Sequence, residues 1–166
     1  MTTESSNIII GIGGLSISND QNSSIITYSL GSCIALIIYH GPSKTGGMAH
    51  IALSNSRTDP EKGIDCPGYF ANTCIPELLS QMKKKINALN NSDLIVKIAG
   101  GASLVKEINF FDIGGQNIKA IKKEIKKNSM KLKTEDIGKN FSRTVSLNIH
   151  NGKVKISNAK LGKWEL

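Results

Sequence analysis

No apolar run in this chain is long. The most extended, Cys33 to Tyr39, is closed by Gly41-Pro42, and another, Ile8 to Ile10, by the glycines of GIGG. Such runs fall far short of the roughly 18 apolar residues a membrane-spanning helix requires. Their β-branched residues read instead as short buried strands. A soluble globular protein built from many short strands is therefore expected. The composition, 39% hydrophobic and 20% charged with only 4 Pro, excludes disordered, collagen-like and coiled-coil chains. One domain covering 1–166, with no linker and no internal repeat, is expected from the length.

Other punctuation removes several function classes. GIGG runs into SISNDQNSS, a turn composition, so it is not the glycine fingerprint that opens a dinucleotide-binding helix. Gly100-Gly101-Ala102-Ser103 follows a strand but lacks the GK[ST] ending of a phosphate loop. Cys33, Cys66 and Cys74 show no CxxC spacing, and His40, His50 and His150 form no HExxH. Reduced thiols are expected, with no metal and no cofactor. The start, MTTESSN, has none of the parts of a secretion signal, so a cytoplasmic location without membrane insertion is expected.

The pattern of elements is strand-rich. Strands are expected at Asn7 to Gly11, Ser24 to Leu30, Ile34 to His40 and Gly46 to Leu53, with GIGGLSISND a loop and Gly31-Ser32 a tight bend. The polar stretch Ser54 to Gly68 reads as a long surface loop. Apolar residues every three to four positions predict helices over Tyr69 to Leu89 and Gln116 to Lys127, on either side of a strand at Leu94 to Ile98. Strands are expected again at Met130 to Thr134 and Ser142 to Ile149, the latter turning through Asn151-Gly152 into Lys153 to Ser157. This order implies an α+β fold, a layered α/β sandwich in which a mixed, largely antiparallel sheet packs with two main helices.

Charge is uneven along the chain. Residues 1–81 hold 3 Lys and Arg against 6 Asp and Glu, whereas residues 82–166 hold 18 against 7. The basic half reads chiefly as the solvated faces of helices. Nucleic-acid binding is not expected, because aromatics make up only 5% of the chain and no recognition motif is present.

Chemistry concentrates at Gly31-Ser32-Cys33. A cysteine at a bend between strands exposes its sulfur, and the backbone N–H groups beside it point where an oxyanion develops. A lone cysteine is more often a core thiol, so the partner matters. If the strands on either side of Gly41-Pro42 pair as a hairpin centred there, Cys33 falls directly opposite His50, within reach of proton exchange. The group that would orient the imidazole is open among Thr27, Ser29, Asp59 and Asp65.

Several blocks, in order, resemble the CheD family of chemoreceptor glutamine deamidases: SLGSCIALIIYH, GGMAHIALSNS, YFANTCIPELL, IAGGAS, IGGQNI and EDIGKNFSR. The resemblance implies a cysteine hydrolase with a Cys–His–Thr triad. By position these are Cys33 as nucleophile, His50 as base and acid and Thr27 as its orienting hydroxyl, with Gly31 and Ser32 supporting the oxyanion site. It also implies receptor cytoplasmic helices as substrate, methyl-ester hydrolysis as a side activity and a CheC-type phosphatase as a partner. An adaptor with little catalysis is the alternative. Two positions depart from the family pattern: Asn72 stands where Asp is common, and Lys139 where Gly is common.

Overall fold

The computed structural model describes residues 6–103 and 112–166, so most of the segment read for a secretion signal lies outside the described residues. In chain order the elements are β1 (Ser6–Ile10), β2 (Leu15–Ser18), β3 (Ser23–Leu30), β4 (Ile34–His40), β5 (Thr45–Ile51), α1 (Pro60–Asp65), α2 (Ala71–Lys85), β6 (Ile95–Gly100), α3 (Ile113–Lys127), β7 (Leu132–Ile137), β8 (Arg143–Asn148), β9 (Val154–Asn158) and β10 (Gly162–Glu165). The expected layered α+β architecture forms, with its strands divided between two five-stranded sheets. Their orders are β1-β3-β8-β9-β10 and β2-β5-β4-β6-β7. Each is antiparallel except for one parallel pair, β1 with β3 and β6 with β7.

The β4 sequence explains the layering. Side chains alternate across a strand, and both sets here are apolar. Ile34, Leu36 and Ile38 join Cys74, Ile75, Leu78 and Met82 of α2 and Ile121 and Ile125 of α3. Ala35, Ile37 and Tyr39 join Ile25, Val145, Leu147 and Ile156 of the other sheet. Helices therefore cover one face of the second sheet and the first sheet covers the other. Burying each such isoleucine or leucine contributes roughly 1.5–3 kcal/mol, which makes β4 the strand that both cores share. Lys83, Lys84 and Lys85 close α2 and Lys126 and Lys127 close α3, exposed cations set against the negative helix ends.

Several expectations need correction. The stretch after GIGG is not all loop: β2 pairs antiparallel with β5, Leu15 opposite Ala49, because an open strand edge orders even a short Leu-x-Ile pattern. The Ser54 to Gly68 stretch contains α1, which starts where Asp59 Oδ1 accepts the Lys62 N–H and Pro60 occupies the first turn. Asn151-Gly152 does not make a two-residue turn. The β8–β9 ladder ends at Leu147 opposite Val154, because Ile149 is fully buried and its carbonyl accepts the Tyr39 hydroxyl at 3.0 Å. β10 was not expected, and it adds an edge strand to β9.

A buried ionic clamp joins the two sheets. Asp136 of β7 accepts from Arg143 Nη2 of β8 at 2.9 Å and from Trp164 Nε1 of β10 at 2.8 Å. The Arg143 side chain is wholly buried, its Nη1 donates to the carbonyls of Gly138 and Phe141 while Nε has no partner among the described residues, and its guanidinium lies 4.3 Å from the Phe141 ring centre. Beside it Lys139 holds a left-handed φ of 64°, the conformation glycine adopts without a Cβ penalty.

Asp136→Ala leaves that guanidinium buried and unpaired, and is expected to cost about 3–5 kcal/mol in urea unfolding. Burial pushes the Asp136 carboxyl up, but the hydrogen bonds from Arg143 and Trp164 and the charges of Arg143 and Lys139 outweigh it and hold the pKa below the usual carboxylate value. A depressed carboxyl contributes stability that is complete above its unfolded value of about 3.9 and lost as pH falls through the lower folded value. Wild-type stability is therefore expected to drop below about pH 4 in a step that Asp136→Asn lacks, measured by urea melts across pH.

Candidate functional site

His50 sits on β5 between Ala49 and Ile51, whose side chains turn to the helix-side core. Its own side chain takes the opposite face, between the sheets, and only 2% of the residue is exposed. The GIGG segment holds its backbone from the side: His50 N–H donates to the Gly14 carbonyl at 2.9 Å and Gly13 N–H donates to the His50 carbonyl at 2.8 Å. Gly13 has φ +77°, and a Cβ there would lie 2.8 Å from Cys66 Sγ. A residue with a side chain would push this segment off His50, so these glycines shape the site although they bind no nucleotide.

Thr27 on β3 comes from the facing sheet. Its Oγ1 lies 2.7 Å from His50 Nδ1 and donates to the Ile10 carbonyl at 2.9 Å. A hydroxyl has one proton. Since that proton goes to Ile10, Thr27 accepts from His50, and the imidazole carries its proton on Nδ1. Nε2 is then a bare lone pair, buried and without a hydrogen-bond partner among the described residues. Burial also holds the His50 pKa below the usual imidazole value, because the charged form loses more solvation. The arrangement is a neutral, oriented base.

Of the four orienting groups left open by the sequence, Thr27 is the one at His50. Strand alternation alone would put Ser29 on the same face as Thr27. A bulge in the β3–β8 pairing between Thr27 and Leu30 prevents it: Ser29 takes φ 56° and is exposed. The left-handed residue at this end of β3 is thus Ser29 rather than Gly31. Asp59 caps α1, and Asp65 is exposed at its other end.

Cys33 occupies the crossing from the first sheet to the second, immediately before β4, and is half-buried. The hairpin register differs from the expected one. The loop is Gly41 to Lys44, closed by Lys44 N–H to the Gly41 carbonyl with Lys44 at φ 48°, so that Ala35 rather than Cys33 pairs with His50. The slip is two residues, which preserves the face. Cys33 is consequently diagonal to His50 on the same side, a spacing of roughly 7–8 Å between backbones, and the thiol makes no hydrogen bond to His50 Nε2. Burial pushes the Cys33 thiol up, with its own N–H partly offsetting this. Both shifts favour the uncharged forms, thiol and imidazole.

Three contacts fasten the crossing. Gly31 O accepts from Ala102 N–H, Cys33 O from Gly101 N–H, both at 2.8 Å, and Ser32 O from Asn117 Nδ2 at 3.0 Å. Sequence reading missed both Asn117 and the Gly100-Gly101 backing. Both lie in blocks that carry the family resemblance, IAGGAS and IGGQNI, but nothing in their spacing ties either to Cys33. Gly100 has φ +120°, and a Cβ there would sit 2.3 Å from the Cys33 carbonyl oxygen. The other thiols are elsewhere: Cys74 is wholly buried in the helix-side core and its thiol pushed far up, while Cys66 donates to the Gly13 carbonyl. Among the described residues no group of three or more His, Cys, Asp and Glu side chains is placed to hold a metal ion, and no helix is long and apolar enough to cross a membrane.

Comparison with known proteins gives a consistent result. Residues 52–158 match the family model described as CheD chemotactic sensory transduction. The chain is 40% identical over 161 residues to a probable chemoreceptor glutamine deamidase CheD of Syntrophotalea carbinolica, covering 97% of this chain and 99% of that protein. It is 41% identical to a probable chemoreceptor glutamine deamidase CheD 1 of Syntrophus aciditrophicus, over 92% of this chain and 94% of the relative. A similarly named protein of Methanococcus maripaludis is 41% identical over 76% of this chain and 80% of its own length.

Gly100→Ala tests the backing of Cys33. The added methyl meets backbone, not a flexible side-chain tip, and φ is one an L-residue rarely adopts. A loss of about 2 kcal/mol or more in denaturant unfolding is expected, together with a changed rate of Cys33 alkylation by iodoacetamide.

Proposed function

The chain belongs to the CheD family, and we propose that it is a protein-glutamine deamidase that converts chemoreceptor glutamines to glutamate through Cys33, His50 and Thr27. The observation that carries this reading is the buried Thr27–His50 pair, with its unpartnered Nε2 on the face where Cys33 enters β4. The relatives' names supply the reaction and the substrate class.

The chemistry follows from the charge states. The side-chain amide carbon of a bound glutamine is attacked by Cys33 Sγ as its proton passes to His50 Nε2. Thr27 holds the imidazole by Nδ1 while it is briefly charged, the orienting role that the third member of such a triad fills. Backbone N–H groups at Ser32 and Cys33 receive the oxyanion, a contribution of several kcal/mol to the barrier in comparable sites. The imidazolium returns its proton to the leaving nitrogen, ammonia departs, and a thioester to Cys33 remains. Water, deprotonated by His50, hydrolyses it to glutamate and restores the thiol. With methanol as leaving group the same steps hydrolyse a glutamate methyl ester. A CheC-type phosphatase is part of the proposal as a partner, checked by co-elution.

Receptor cytoplasmic fragments incubated with the protein are expected to show glutamines shifted by about +1 Da in mass spectra, as replacement of NH2 by OH requires. Cys33→Ala and His50→Ala are expected to abolish the change. Receptor binding without conversion by the wild type would favour the adaptor reading.

The pH dependence has a definite sign. A base held below the usual imidazole pKa stays unprotonated into mild acid, so the acid limb of kcat/KM is expected below about pH 6.5. Cys33 alkylation is expected to rise only above the ordinary thiol value of about 8.5. An alkylation midpoint near neutrality would replace the neutral pair with a thiolate–imidazolium pair.

A further inference from the structure

Asn117 lies on α3, is 1% exposed, and stands apart from the chemistry just described. Its Nδ2 donates to two carbonyls, Ser32 O at 3.0 Å and Ala52 O at 2.8 Å. Only the nitrogen end of the amide can serve two acceptors, so its orientation is fixed. Oδ1 is left buried with no partner among the described residues. The two carbonyls belong to the residue before Cys33 and to the residue two beyond His50.

The placement compensates for a break in the sheet. The β4–β5 ladder ends at Ile34 opposite Ile51. Beyond it Ala52 N–H turns away to the Tyr69 carbonyl, and Cys33 O turns to Gly101 N–H. Where the nucleophile and the base strand part, no backbone rung links them. The Asn117 amide supplies a rung from a third element.

Its effect reaches the reacting centre through one peptide plane. The Ser32 C=O and the Cys33 N–H belong to the same planar, trans peptide unit and point in opposite directions. Anchoring that carbonyl on Asn117 therefore sets the direction of the Cys33 N–H. Resting on the deamidase reading above, we infer that Asn117 is a positioning residue: its amide orients the Ser32–Cys33 peptide so that the Cys33 N–H faces the oxyanion, and holds the nucleophile turn in register with the His50 strand.

The test compares wild type, Asn117→Ala and the near-isosteric Asn117→Asp in full-length protein acting on receptor fragments. It measures kcat, KM, thermal midpoint and the rate of Cys33 alkylation by iodoacetamide. Removing an oriented oxyanion donor typically lowers kcat by about 100-fold or more, so a fall of about 30- to 300-fold is expected in both variants, with KM within about threefold. Alkylation needs no oxyanion donor, and its rate is expected to stay within a few-fold. As pH falls, Asn117→Asp is expected to recover relative to Asn117→Ala, because the protonated carboxyl regains one donor. Unchanged kcat in a folded variant would overturn the inference, as would parallel loss of alkylation and activity in Asn117→Asp. Wild type without deamidase activity would overturn the deamidase reading itself, and the inference with it.

Discussion

Between Leu30 and Ile34 the chain must pass from one sheet to the other. Stacked sheets lie about 10 Å apart, and four extended residue steps reach about 13–14 Å. The crossing therefore has to be short, and it bends at Gly31 and Ser32 on its way from one core to the other. Leu30 is fully buried in the inter-sheet core and Ile34 in the helix-side core, so apolar burial fixes both ends. The three carbonyls between them are tied to Ala102, Asn117 and Gly101. The Cys33 thiol is placed by the packing of the whole fold.

The same burial sets the electrostatics. Thr27 and His50 come from different sheets and meet only because those sheets pack face to face. Taking His50 and part of Cys33 out of water favours the neutral imidazole and the neutral thiol. Under the proposed function, Cys33 attacks only as its proton passes to His50. The Asp136–Arg143–Trp164 clamp stands at the opposite extreme: there a charge is kept, because two donors and nearby cations stabilise it. One network keeps a charge by pairing it, the other keeps its groups neutral by burial.

Much of this was legible in the chain. β4 could be read from its apolar run, α2 and α3 from their periodicity, and the lysine-rich half as solvated helix faces; Lys83–Lys85, Lys126 and Lys127 are indeed exposed at helix ends. Cys33 and His50 were paired on a hairpin argument whose register was wrong by two residues. The argument still put them on one face, because a strand repeats every two residues. Spacing alone could not separate Ser29 from Thr27, which only the family resemblance singled out, since a bulge has no side-chain signature beyond the residue that happens to take φ 56°. β2 was hidden in a glycine- and serine-rich stretch, for it is ordered by the edge of β5 rather than by its own propensity.

The sequence by itself determined the local terms: the periodicity of the longer strands and helices, and the family membership that its ordered blocks carry. Those signals are short-range, and a linear reading captures them. Only the tertiary structure decided that strands β3 and β4 lie in different sheets, that Thr27 rather than Ser29 meets His50, and that an amide on α3 replaces a missing rung beside Cys33. Each of these joins residues distant in sequence, Asn117 to Ser32 above all. Their meeting depends on layer packing and loop closure, which leave no periodic trace in the order of amino acids.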